Sequence, residues 1–103
     1  MRAIRVSRSY LAALHELLAY GESRFGSAVV DDKRARIEHT IEQILSEYPG
    51  IGRFETNLGV YSYAVTRAPF VLLYDFDDVE LRIHLIIHAS SDRSRVSLAE
   101  IGW

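Results

Sequence analysis

The chain has 103 residues, 49% hydrophobic and 25% charged, which suits one globular domain and argues against wholesale disorder. Its net charge of −2 argues against a protein built mainly to grip nucleic-acid backbone. With no cysteine, disulfides, thiolate metal sites and a cysteine nucleophile are excluded.

No apolar run approaches the ~20 residues of a membrane span, and MRAIRVSRSYLAALHELLAYGE carries no signal-peptide pattern. A cytoplasmic location is expected, with no membrane partner and no specific DNA binding by this chain. The charge is unevenly spread. Residues 1–8 carry three Arg and no acid, whereas residues 9–80 carry six basic and twelve acidic groups. Lys33 is the one Lys among 12 basic residues, and Arg suits bidentate contacts to carboxylate or phosphate.

Residues 2–7, RAIRVS, read as a short strand with Ile4 and Val6 on one face. Ser7 or Ser9 offers an N-cap. Leu11, Leu14, Leu18 and Phe25 follow at helical spacing. Gly21 is expected to kink or fray this helix, and Gly26 to close it. Residues 27–48 form a second amphipathic helix, with Val30, Ile37, Ile41, Ile44 and Tyr48 on one face and Pro49-Gly50 ending it. The two helices make an antiparallel hairpin. Residues 50–59 read as a loop. Residues 60–67, 70–76 and 79–88 read as strands, with turns at Ala68-Pro69 and Asp77-Asp78. Residues 89–103 form a tail with one short helix after Ser91 or Asp92. The expectation is an α+β domain over 1–103 in the order β-α-α-β-β-β, with an antiparallel meander under the helical hairpin.

Strand alternation assigns the faces. Tyr61, Tyr63, Val65, Phe70, Leu72, Tyr74, Phe76, Leu81, Ile83, Leu85 and Ile87 are expected under the helices. Ser62, Ala64, Thr66, Val71, Leu73, Asp75, Arg82, His84, Ile86 and His88 are expected on the other face. The tail is the one element of the expected fold that could cover this second face, and left uncovered, with Val71, Leu73 and Ile86 on it, the face should invite a partner.

In order and spacing, IRVSRSYLAALHELLAYGESRFG, TIEQILSEYPGIGR, LGVYSYAV, FVLLYDF and VELRIHLIIHASSDR resemble the RelE/ParE superfamily of bacterial toxins, and more closely its ParE branch. The resemblance spans roughly residues 3–93. It includes a P-x-x-G-R turn (Pro49, Gly52, Arg53) and a His-x-x-x-Asp strand end (His88, Asp92). It implies the toxin of a type II toxin–antitoxin system, neutralised by a ribbon-helix-helix antitoxin of the ParD kind. ParE-type toxins inhibit DNA gyrase, whereas RelE-type toxins cut mRNA in the ribosomal A site. RelE-type cleavage needs cations around the scissile phosphate. The corresponding positions here are approximately Ser62, Ala64 and Val71, and no Tyr follows His88. The expectation is therefore a gyrase-binding toxin. The alternative is a ribosome-dependent nuclease using His88 with Arg82 or Arg93.

Leu14, Leu18, Val71, Leu73 and Ile86 are the expected antitoxin contacts. Leu17, Tyr20 and Trp103 do not fit one core, and gathered near one groove they would support such a site. Arg53, Arg82, His88, Arg93 and Arg95 are the expected target contacts, with Arg82, Arg93 and Arg95 forming one basic cluster. Arg53 has the alternative role of pinning its loop through its five donors. His84 and His88 lie about 13 Å apart along one strand, too far for one metal ion. No cofactor and no metal are expected.

Overall fold

The computed structural model describes residues 1–103. Strand β1 (Ala3–Val6) leads into helix α1 (Arg8–Phe25). Ser7 makes the switch: its hydroxyl accepts from the Tyr10 amide at 2.8 Å and donates to the His84 carbonyl at 2.6 Å, tying the helix start to the sheet. Helix α1 runs unbroken through Gly21, correcting the expected kink. Gly21 is where α2 comes close, since a Cβ there would meet the Val30 side chain at 3.4 Å. Gly26, at φ 87°, ends α1 in a conformation that favours glycine.

Helix α2 (Ser27–His39) passes into a wider π turn over Thr40–Leu45, where the Ser46 amide reaches back five residues to the Ile41 carbonyl. The wider turn shifts the helix face. Leu45 is fully buried and Tyr48 is 68% exposed, so the expected stripe holds only as far as Ile41 and the half-buried Ile44. A single 3-10 turn, Pro49–Ile51, leads to β2 (Arg53–Glu55). This short strand replaces part of the expected loop. Strands β3 (Val60–Ala64), β4 (Phe70–Phe76) and β5 (Glu80–His88) form the meander. The sheet order is β1-β5-β4-β3-β2, with β1 parallel to β5 and the other pairs antiparallel.

The two helices cover one face. Tyr10, Ile37, Ile41 and Leu45 pack there on Val65, Phe70, Leu72, Tyr74, Leu81, Ile83 and Ile86. The strand faces match the alternation as far as Ile83. Between β4 and β5 the register slips: Leu73 pairs with Leu85, but Tyr74 pairs with Ile83. His84 is the extra residue of this bulge, and everything after it turns over. Ile86 therefore joins the helix-side core, while Leu85 and Ile87 join Val60, Val71 and Leu73 on the other side.

That other side is not open. Beyond β5, a 3-10 turn (Arg93–Arg95), N-capped by Asp92, turns the chain back. Val96 and Leu98 pack over Val60, Val71 and Leu73. Val71 is 2% exposed and Leu73 is fully buried. The tail thus seals the face that was expected to lie open unless the tail covered it.

Candidate functional site

The five expected antitoxin contacts do not share one surface. Leu14 and Leu18 lie on α1: Leu14 is half-buried against the helix-side core, and Leu18, though 5% exposed, lines the cleft at the hairpin tip. Val71 and Leu73 are buried beneath the tail on the opposite face of the sheet. Ile86, 2% exposed, belongs to the helix-side core because of the His84 bulge. As folded, Val71 and Leu73 offer no apolar groove to a partner, whereas Ile86 lines the floor of a shallow groove between α1 and the end of β5.

An apolar surface does exist at the tip of the helical hairpin. Leu17, Leu18, Tyr20, Phe25, Val29, Pro69 and His88 line a cleft of about 110 Å³ there. A broader, shallow groove continues beside it between α1 and the end of β5, sharing Leu17, Tyr20 and His88. Tyr20 is 60% exposed, Phe25 65% and Val29 41%. Phe25, which continues the helical spacing of α1, stands outside where the hairpin turns at Gly26. Large apolar side chains gathered on one rim mark an interaction surface more than scattered ones do. Of the three residues hard to place in one core, Leu17 and Tyr20 are found here, Leu17 also packing against the helix-side core, and Trp103 is not.

Trp103 closes the tail onto the start of α1. The Gly102 carbonyl accepts from the Arg8 amide at 2.7 Å and from Ser9 at 3.3 Å, and the Gly102 amide donates to the Ser9 hydroxyl at 2.9 Å. These bonds satisfy amides that a helix start leaves unpaired. The Trp103 ring meets His84 edge-on at 4.9 Å, and the Arg5 guanidinium lies over it at 4.9 Å. His84 Nε2 sits 3.2 Å from Asp75 Oδ1 but out of line for a hydrogen bond, so this buried nitrogen has no hydrogen-bond partner.

The expected basic cluster does not form. Arg82, at the beginning of β5, is caged by Asp75 at 2.8 Å, Asp77 at 3.0 Å and Glu80 at 3.1 Å. Hydrogen bonds to these carboxylates hold its proton even more firmly than usual. Asp77 is pulled down to about 2, chiefly by the Val79 amide and then by Arg82 and the Glu80 amide, as it closes the β4–β5 turn. Arg82 is therefore a structural cation. Arg93 and Arg95 follow the far end of β5. Arg93 is half-buried with its Nε unpartnered, and Arg95 stands out 3.8 Å from Asp92. His88 is exposed, its Nδ1 accepting from the Ser90 amide and 2.7 Å from the Ser90 hydroxyl.

Arg53 does not pin its own loop. Tyr74 does: its hydroxyl donates to the Pro49 carbonyl at 2.6 Å and accepts from the Gly52 amide at 3.1 Å. A Cβ at Gly52 would collide with the Tyr74 hydroxyl and lie 2.8 Å from the Ser62 carbonyl, so this position requires glycine. Burial pushes the Tyr74 phenol up to about 12. Arg53 itself is 84% exposed, touching only Glu55 at 3.8 Å. No group of three or more His, Cys, Asp or Glu side chains is placed to hold a metal ion, and no helix is long and apolar enough to cross a membrane.

Neither a family profile nor a curated protein matches this sequence. Among solved structures, the fold matches a chain of the chromosomal ParDE TA system from P. aeruginosa. The TM-score is 0.68 and the identity 19%, over 85% of this chain and 96% of that one. The likeness is one of fold.

Proposed function

We propose that this chain is the toxin of a type II toxin–antitoxin pair, that it arrests growth in the cytoplasm by binding DNA gyrase, and that a ParD-like ribbon-helix-helix antitoxin neutralises it. The observation that carries the reading is the fold shared with a chain of a ParDE system. It agrees with the ParE-like order of motifs in the sequence. Two features support binding over RNA cleavage. The sheet face opposite the helices is filled by Val96 and Leu98, and Arg82 is committed to three carboxylates. A scissile phosphate would need free cations on that face.

The antitoxin is assigned to the hairpin surface of Leu17, Tyr20, Phe25 and Val29, above Leu14 and Leu18. Ile86 lines the groove that continues this surface, while Val71 and Leu73 support the fold beneath the tail. Arg53, His88 and Arg95 are exposed and remain candidates for the target, as does the half-buried Arg93.

The test is gyrase supercoiling by the purified, antitoxin-free protein, with translation in vitro run alongside. Loss of supercoiling with translation intact is the expected result. Intact supercoiling with mRNA cut on the ribosome, and cutting lost in His88→Ala, would replace this reading with the nuclease.

A further inference from the structure

The two edges of the sheet are treated differently. Along β1, the Arg2 amide is taken by the Ser46 carbonyl and the Arg8 amide by the Gly102 carbonyl. The chain thus closes its own edge just before and just after β1. The β2 edge has no such cover. Exposed apolar side chains cluster on and beside it: Tyr48 at 68%, Ile51 at 56% and Phe54 at 52%. An open strand edge with an aromatic residue at its centre is a template for pairing with another strand.

The β2–β3 turn tells which groups are free. The Glu55 carbonyl accepts from both the Leu58 and Gly59 amides, and Gly59 has φ 71°. That is a four-residue loop, a type I turn followed by a left-handed glycine, and it closes on the Glu55–Val60 pair, which makes Glu55 a residue bonded inward to β3. Two residues back, Arg53 is bonded inward as well, opposite Ser62. The backbone N–H and C=O of Phe54 therefore point outward.

We propose that β2 is a self-association edge. Two copies of this chain pair their β2 strands antiparallel about a two-fold axis at Phe54, joining both sheets into one. Charge complementarity selects both the partner and the register. With the axis at Phe54, each copy's Arg53 lies opposite the other's Glu55, twice over. An axis at Arg53 or at Glu55 would set like charges against each other. Arg53 is available for this exchange, since it is 84% exposed and only loosely paired with its own Glu55. The Glu55 carboxylate is 16% exposed and held at the edge by the Ser62 hydroxyl at 2.7 Å, leaving it one face to receive the other copy's Arg53. A three-residue edge makes a weak, concentration-dependent dimer. The proposal stands independently of the toxin reading.

The test is sedimentation of the purified chain over a wide concentration range, with R53E and E55R alone and mixed. The parent chain should pass from monomer to dimer. Each single reversal should weaken self-association by about tenfold or more, since like charges then face each other across the strands. An equimolar mixture of R53E and E55R should recover the dimer, because every facing pair is again opposite in sign. Phe54→Pro, which removes the outward N–H and leaves the β3 bonds, should be monomeric and still folded by circular dichroism. A parent chain that stays monomeric throughout, an R53E protein that dimerises as well as the parent, or a mixture without heterodimer would overturn the proposal.

Discussion

On the helix side of the sheet, a cluster of 11 buried residues is covered by α1 and α2, which satisfy their own backbones. On the other side, three buried residues, Val60, Val71 and Leu73, are covered by Leu58, Leu85 and Ile87 and by two tail residues, Val96 and Leu98. The tail has one 3-10 turn of its own and is held at its end by Gly102 and Trp103. Both faces are dry, but the first is sealed by rigid elements and the second by a strap. Segments with few apolar contacts and little internal hydrogen bonding open at lower cost than the core. The helix side therefore sets global stability, and the tail side sets local stability.

The sharpest contrast pairs one residue from each side. Leu72 is fully buried on the helix side, so Leu72→Ala should cost about 3 kcal/mol in urea unfolding. Leu98→Ala, on the half-exposed strap, should cost about 1 kcal/mol or less. Equal costs would erase the distinction. Deleting residues 99–103 removes the Gly102 bonds to Arg8 and Ser9. It should cost about 1–2 kcal/mol, as loss of a helix cap does, and should raise binding of a hydrophobic dye as Val71 and Leu73 become reachable. A deletion without either effect would mean that the tail is not clasped there.

Tyr74→Phe probes a buried hydroxyl on the helix side. Losing its bonds to Pro49 and Gly52 should cost about 1 kcal/mol, and hydrogen exchange should quicken over 49–53. The same change alters the alkaline limb. Burial raises the Tyr74 phenol from 10.0 to about 12, so the neutral form is favoured in the folded state. Its contribution is complete below pH 10 and is lost as pH rises through 12. Tyr10 behaves alike, raised to about 12 chiefly by burial, so Tyr74→Phe should leave a shallower alkaline loss, not a flat one. The smallest effect belongs to Asp77, in the exposed β4–β5 turn. Its pKa is lowered from 3.8 to about 2, so its contribution is present above the ordinary carboxylate range and fades as pH falls towards 2. Asp77→Asn should remove that acid dependence.

The helical hairpin and the meander were legible because their apolar spacing is long and regular. The bulge was not. Leu85, Ile86 and Ile87 are all apolar, so either phase leaves the strand with an apolar face, and only the pairing of Tyr74 with Ile83 decides. The seal over the second face was only partly legible: the tail was the one segment left to cover it, but not which of its residues would. In ASSDRSRVSLAEIGW, Val96 and Leu98 stand two apart, a pattern too short to announce a covering segment. With the tail in place, Val71 and Leu73 lose the exposure that strand alternation assigns them, and the bulge at His84 moves Ile86 to the helix side, where it lines the groove beside α1. The hairpin surface was half legible: Tyr20 fitted no core, but Phe25 continued the helical spacing and only the turn at Gly26 sets it outside. Arg82 looked like a free cation because the sequence does not show Asp75 directly across from it on β4.

The claim that the hairpin tip, and not the sealed sheet face, receives the antitoxin is tested most directly by amide hydrogen exchange with and without the cognate antitoxin. Protection should rise over residues 17–30 and stay unchanged over residues 71–73 and 96–103. Protection that changes in β4 and the tail, with the hairpin tip unaltered, would mean that the strap is displaced and the partner takes the face it covers.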